Sequence, residues 1–151
     1  MLTTAVPGTR RAPWPLVQTL YVWAVMAGLL VQGAGSLLLD FNAGMRSVMP
    51  IPLATLMNGN PPHAWLHVVW GAGGLAWLLL FRSANARIVL GFVFGIFYTL
   101  LGFLGVAVHD PFGMRIELPE NVFHLTVGPL MLLLTFLAAG SIRRPQRPSV
   151  R

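Results

Sequence analysis

The sequence predicts an all-α integral membrane protein: a four-helix bundle built from two similar helical hairpins, with both termini on the cytoplasmic side. Three observations lead there. Of 151 residues, 56% are hydrophobic and only 9% are charged, and mean hydropathy is +0.71. A soluble domain carries about a quarter charged residues, so this chain has too little polar surface for water. Four long apolar stretches follow one another along it. The charges between them are sorted. All four acids (Asp40, Asp110, Glu117, Glu120) and all four histidines lie in or beside residues 40–67 and 109–124. Eight of the ten arginines (Arg10, Arg11, Arg82, Arg87, Arg143, Arg144, Arg147, Arg151) lie elsewhere.

Residues 1–15 read as a Pro-rich cytoplasmic tail ending in Pro13-Trp14-Pro15. The apolar run 16–39 is too long for a signal-peptide core of about 7–15 residues and has no clear A-x-A cleavage site, so it reads as a retained first span. Its polar side chains are Gln18, Thr19, Gln32 and Ser36. At about 1.5 Å per residue the run is about 36 Å long, enough to cross about 30 Å of hydrocarbon with tilt. The second span, 63–81, ends at Arg82, and the third, 88–108, follows the short polar turn 83–87. The fourth, 122–139, is closed by Gly140 and by a basic tail, 142–151, carrying Pro145 and Pro148. The membrane domain is thus 16–141.

Four spans put both termini on one side, and that side holds eight arginines and no acid. The positive-inside rule makes it the cytoplasm, and the expected location is a bacterial inner membrane. Insertion accounts for the arginines, so the bilayer is the expected partner and nucleic acid is not. The absence of cysteine excludes disulfides, thiolate metal sites and thiol catalysis. No acid or arginine lies in mid-membrane, which argues against proton-coupled export. No Ser–His or paired-carboxylate constellation lies at membrane depth, which argues against intramembrane proteolysis.

The first outer connection, roughly 40–62, is long enough to have structure of its own. Its apolar stretch predicts a short interfacial helix at Leu53–Met57. Asp110-Pro111-Phe112-Gly113 suits a type I turn.

Glycines mark packing faces. Gly91, Gly95, Gly102 and Gly105 share one face of the third span, with Gly71 and Gly74 on the second. Small residues let helices approach closely in lipid. Internal packing is the simpler reading; a homo-oligomer face is the sharper one. Asn60-Pro-Pro-His63 opens the second span and Asn121-Val-Phe-His124 the fourth, so each Asn would cap its helix with His in the first turn. A second register matches His67-Val-Val-Trp-Gly71 with His124-Leu-Thr-Val-Gly128. Either register makes the two hairpins alike.

These residues resemble a group of small bacterial membrane proteins with four spans, catalogued only as a domain of unknown function. Its members carry an Asn-x-x-His box with Gly four residues on at the fourth helix, matched here by Asn121, His124 and Gly128. A similar element at the second helix is matched by His67, Gly71 and Gly74. The resemblance covers the second to fourth spans, and the first by hydropathy alone. It implies the topology and no activity.

The candidate site is histidine-based. His63 and His67, four apart on one helix, could chelate a divalent metal with His124 and His109, assisted by Asp110, Glu117 or Glu120. His67 and His124 could instead hold haem or a chlorin. The simpler reading is that these histidines hydrogen-bond neighbouring helices. Asn121, Gly71, Gly128, Gly91, Gly95 and Pro129 are assigned structural roles, Pro129 as the source of a kink in the fourth span. Trp70 and Trp77 read as lipid-facing. The expected function is non-enzymatic: an accessory or interaction subunit of a larger membrane complex, with a His- and acid-rich outer cap. The alternatives are a haem-, chlorin- or metal-binding protein and, less readily, a small-solute carrier.

Overall fold

The structure, a computed structural model, describes residues 12–42, 44, 50–51 and 60–143. The proposed interfacial helix at Leu53–Met57 and most of both tails lie outside the described residues. Four helices make up the rest: α1 (Trp14–Phe41), α2 (Pro61–Leu80), α3 (Ala84–Val108) and α4 (Leu118–Arg143). Among the described residues there is no strand. All four helices are long and apolar enough to cross a membrane, which makes the chain a multi-pass membrane protein.

The helices outrun the apolar stretches because their ends are chemically marked. Pro61 and Pro62 open α2, where a missing N–H costs nothing, and the Asn60 side chain accepts from His63 N at 3.4 Å. The Ser83 hydroxyl accepts from Ala86 N at 3.1 Å and starts α3. In α4 the start moves a full turn earlier than residue 122. Pro119 sits in the first turn, and Glu120 there complements the positive end of the helix dipole. Asn121 is therefore no cap: it is buried inside the helix, and its Nδ2 donates to Ile116 O at 3.4 Å. The helix runs unbroken through Pro129. The Asp110–Gly113 turn is not type I, because Phe112 takes φ 58°, ψ 30° where that turn needs negative φ.

Helices pair as α1 with α2 and α3 with α4, and α1 also lies along α4; α2 and α3 meet far less. The core runs through Val22, Met26, Leu29, Leu78, Leu90, Phe94, Tyr98 and Met131. Large exposed apolar residues such as Leu20, Val31, Val93, Phe103 and Phe136 cover the outside, where lipid would meet them. Trp70 does not face outward alone: its ring meets Phe94 at 5.4 Å and Phe97 at 5.1 Å, bridging the sparse α2–α3 seam. Trp77 Nε1 donates to Ala86 O at 3.0 Å.

The two hairpins repeat each other. In α2 the buried series Ala64, His67, Gly71, Gly74 and Leu78 answers to Asn121, His124, Gly128, Met131 and Thr135 in α4. In α1, Val22, Met26, Leu29, Gly33 and Ser36 answer to Gly91, Gly95, Tyr98, Gly102 and Gly105 in α3. Close approaches follow the same register. A Cβ on Gly71 would strike the Leu30 backbone, and one on Gly128 the matched Thr99 backbone. A Cβ on Gly33 would come within 2.9 Å of the His67 Cβ, and one on Gly102 within 3.1 Å of the His124 Cβ. The His-x-x-x-Gly register is thus the structural repeat, and the Asn-x-x-His register is not. Since lipid provides no hydrophobic drive between helices, these backbone approaches are what hold each hairpin. The α3 glycines are all taken up by α4 within the chain.

Candidate metal centre

Three of the four histidines come together. His67 and His124 each lie six residues into their helices, about 9 Å from the start at about 1.5 Å per residue. His63 sits one turn nearer the end on the His67 face. Ring centroids are 4.4 Å apart for His63 and His67, 5.4 Å for His63 and His124, and 6.1 Å for His67 and His124. One nitrogen of each lies within 4.8 Å of the others. Their exposures are 1%, 4% and 0%. His109 is elsewhere: it is exposed at the end of α3 with φ 57°, and its carbonyl accepts from Ile116 N. Asp110 and Glu117 are exposed, while Glu120 is half-buried beside the cluster.

Gln32 orients one member. Its Nε2 donates to Ser36 Oγ at 3.3 Å, which leaves Oε1 to accept from His67 Nδ1. With the proton on Nδ1, His67 Nε2 carries a bare lone pair. Among the described residues, that atom, both nitrogens of His63 and both of His124 are buried without a hydrogen-bond partner. A buried polar group left unmade costs about 1–3 kcal/mol, so five such atoms in one place are a concentrated debt for a marginally stable fold. Tyr98 adds a wall: its ring stacks on His67 at 6.0 Å and meets His124 edge-on at 5.2 Å, with its hydroxyl also unpartnered.

Loop contacts close the end above. Asn60 Nδ2 donates to Gly113 O at 2.6 Å, and Met114 and Ile116 bury themselves with Leu101. A cavity of about 610 Å³ opens on the cluster from the α1–α4 side and includes Gln32, Glu120 and all three histidines in its lining.

Gln32 and Tyr98 were not singled out from the sequence. The only signal for Gln32 is an amide in an apolar span, where polar side chains need partners. Tyr98 has even less, since a tyrosine in such a span reads as bulk.

The geometry defines a class: a four-helix membrane bundle with a buried three-histidine cluster near one end. The chain belongs to the family described as a domain of unknown function, DUF4383, which matches residues 51–137 and so covers the cluster, all of α2 and α4 as far as residue 137. No curated protein and no solved structure matches the chain.

Proposed function

We propose that the protein binds one divalent transition-metal ion through His63, His67 and His124. The observation that carries this reading is the set of five unpartnered buried ring nitrogens. A purely structural role for the histidines leaves those atoms unsatisfied, and an accessory role at the outer cap does not account for them. A metal satisfies three at once. Imidazole suits zinc, copper, iron or nickel, and a three-histidine set leaves a further coordination position open, here toward the cavity. Gln32 supplies the outer support that metal-bound histidines normally have. Haem fits less well, because the three rings contact one another and leave no slot between them for a flat macrocycle.

In the same reading both termini are cytoplasmic, by the arginine distribution, and the cluster lies beneath the extracytoplasmic face of a bacterial inner membrane. The test is metal analysis of protein purified from native membranes without chelator. One equivalent of metal is expected, lost in His63→Ala, His67→Ala and His124→Ala and kept in His109→Ala. Metal-free wild type that also takes up no zinc, copper, nickel or iron on titration would falsify the reading.

A further inference from the structure

The cavity beside the cluster has a direction. Its polar lining, Gln32, Glu120 and the histidines, lies toward the end of the bundle where α2 and α4 begin. Its apolar lining continues along α1 to Ala24, near the middle of that helix. Ala24 and Gly28 are exposed on α1 and Phe123 is exposed on α4, so the mouth opens sideways between these helices, where lipid would meet it, while exposed Pro119 lies at the end of the lining where α4 begins. The volume of about 610 Å³ lies within the usual range for organic ligands, about 300–1,000 Å³. A divalent ion on three neutral imidazoles brings two positive charges into this space, and Glu120 is the single acid in its lining.

From these observations, and resting on the metal reading above, we infer that the cavity seats a single-chain amphiphile with a carboxylate head. The head reaches the open position of the metal, where an anionic oxygen offsets the remaining charge. The tail runs between α1 and α4 toward the middle of the bilayer. Entry is from the lipid, which matches apolar walls at the mouth and polar groups at the far end.

Gly28 makes the inference testable apart from the metal. Gly28 lines the cavity and a Cβ built there meets nothing within 4 Å, so a side chain added at this position has open space at the apolar part of the lining. The probe is palmitic acid carrying a mid-chain diazirine, photolysed with zinc-loaded protein in lipid nanodiscs. Labelling is expected on the peptide containing Ala24 and Gly28, and excess palmitate competes where excess hexadecanol does not. Gly28→Trp is expected to cut that labelling roughly tenfold or more, equivalent to about 1.4 kcal/mol, with zinc content unchanged. His63→Ala loses zinc and labelling together. Labelling that ignores Gly28→Trp in a zinc-replete protein, or that hexadecanol suppresses equally, overturns the inference and leaves the metal site standing. Wild type that holds no zinc strikes at the metal site itself.

Discussion

The first hairpin, α1 with α2, and the second, α3 with α4, share a scaffold and differ in what it carries. At matched places both have a glycine against the partner backbone (Gly71, Gly128) and a histidine one turn before it (His67, His124). One turn further toward the helix start, the first hairpin has His63 and the second Glu120. Where the first has Gln32 holding His67, the second has the apolar Leu101; where the first has Leu29, the second has Tyr98. The repeat decides where a polar side chain can stand, and the divergence decides what it does. A symmetric pair of hairpins would bring two equivalent histidines to the middle. This pair brings two histidines from one side, one from the other, and a carboxylate beside them.

The largest effects come from breaking that division of labour. His67→Ala and His124→Ala are each expected to lower metal affinity more than about a hundredfold, since removing either leaves two ligands where structural and catalytic sites use three or four. Isothermal titration of zinc into each variant measures this; an intact affinity in either would remove that residue from the site. Next comes Gln32→Leu, which gives the first hairpin the residue of the second. It frees His67 to change tautomer and orientation, and affinity should fall about 10–100-fold, the usual cost of losing outer support. A smaller effect would mean His67 is held by packing alone.

Helix approach comes third. Gly128→Ala would press a Cβ within 2.6 Å of the Thr99 backbone nitrogen, which has no side-chain freedom to yield. It should cost about 1–3 kcal/mol in an SDS unfolding titration. Gly95→Ala meets Leu132 Cγ and Cδ2 at 2.8 Å and the Gly128 backbone oxygen only at 3.1 Å, so most of the clash falls on a side chain that can shift and a smaller loss is expected. Equal losses would show that the two contacts are equally rigid. The smallest effect is at the caps. Asn60→Ala removes the cap of α2 and its bond to Gly113, costing about 1 kcal/mol by the same titration.

Much of this architecture is written in the apolar runs. At about 1.5 Å per residue each run comes close to or exceeds the about 30 Å of hydrocarbon, and the glycines that mark close faces are visible by spacing alone. The start of α4 was less legible. With Asn121 read as the cap, Leu118, Pro119 and Glu120 fell outside the helix, yet proline and an acid are what a first helical turn favours, so the start moved back and Asn121 went inside. The convergence of histidines was half legible. His63 and His67 share a face by periodicity, but His124 joins them only because α1 lies along α4, a choice of helix partner that no local pattern states. The same ignorance grouped His109 with them, whereas it stands exposed at the end of α3, outside the three-histidine group. Trp70 looked lipid-facing by its amphipathic ring, and the α2–α3 seam it fills became visible only once the helices were placed.

That seam also bears on how the molecule is made. Ligands to the proposed metal come from both hairpins, and His124 is the last to leave the ribosome. While α1 and α2 stand alone in the bilayer, His63 and His67 offer only two donors, and an ion caught there is held loosely. Full coordination arises when the second hairpin docks along α1, so the metal rewards only the finished chain, by the ordinary linkage between ligand binding and folding. The ion would then act as a seal on assembly, and metal starvation would show itself first as hairpins that insert normally and come apart.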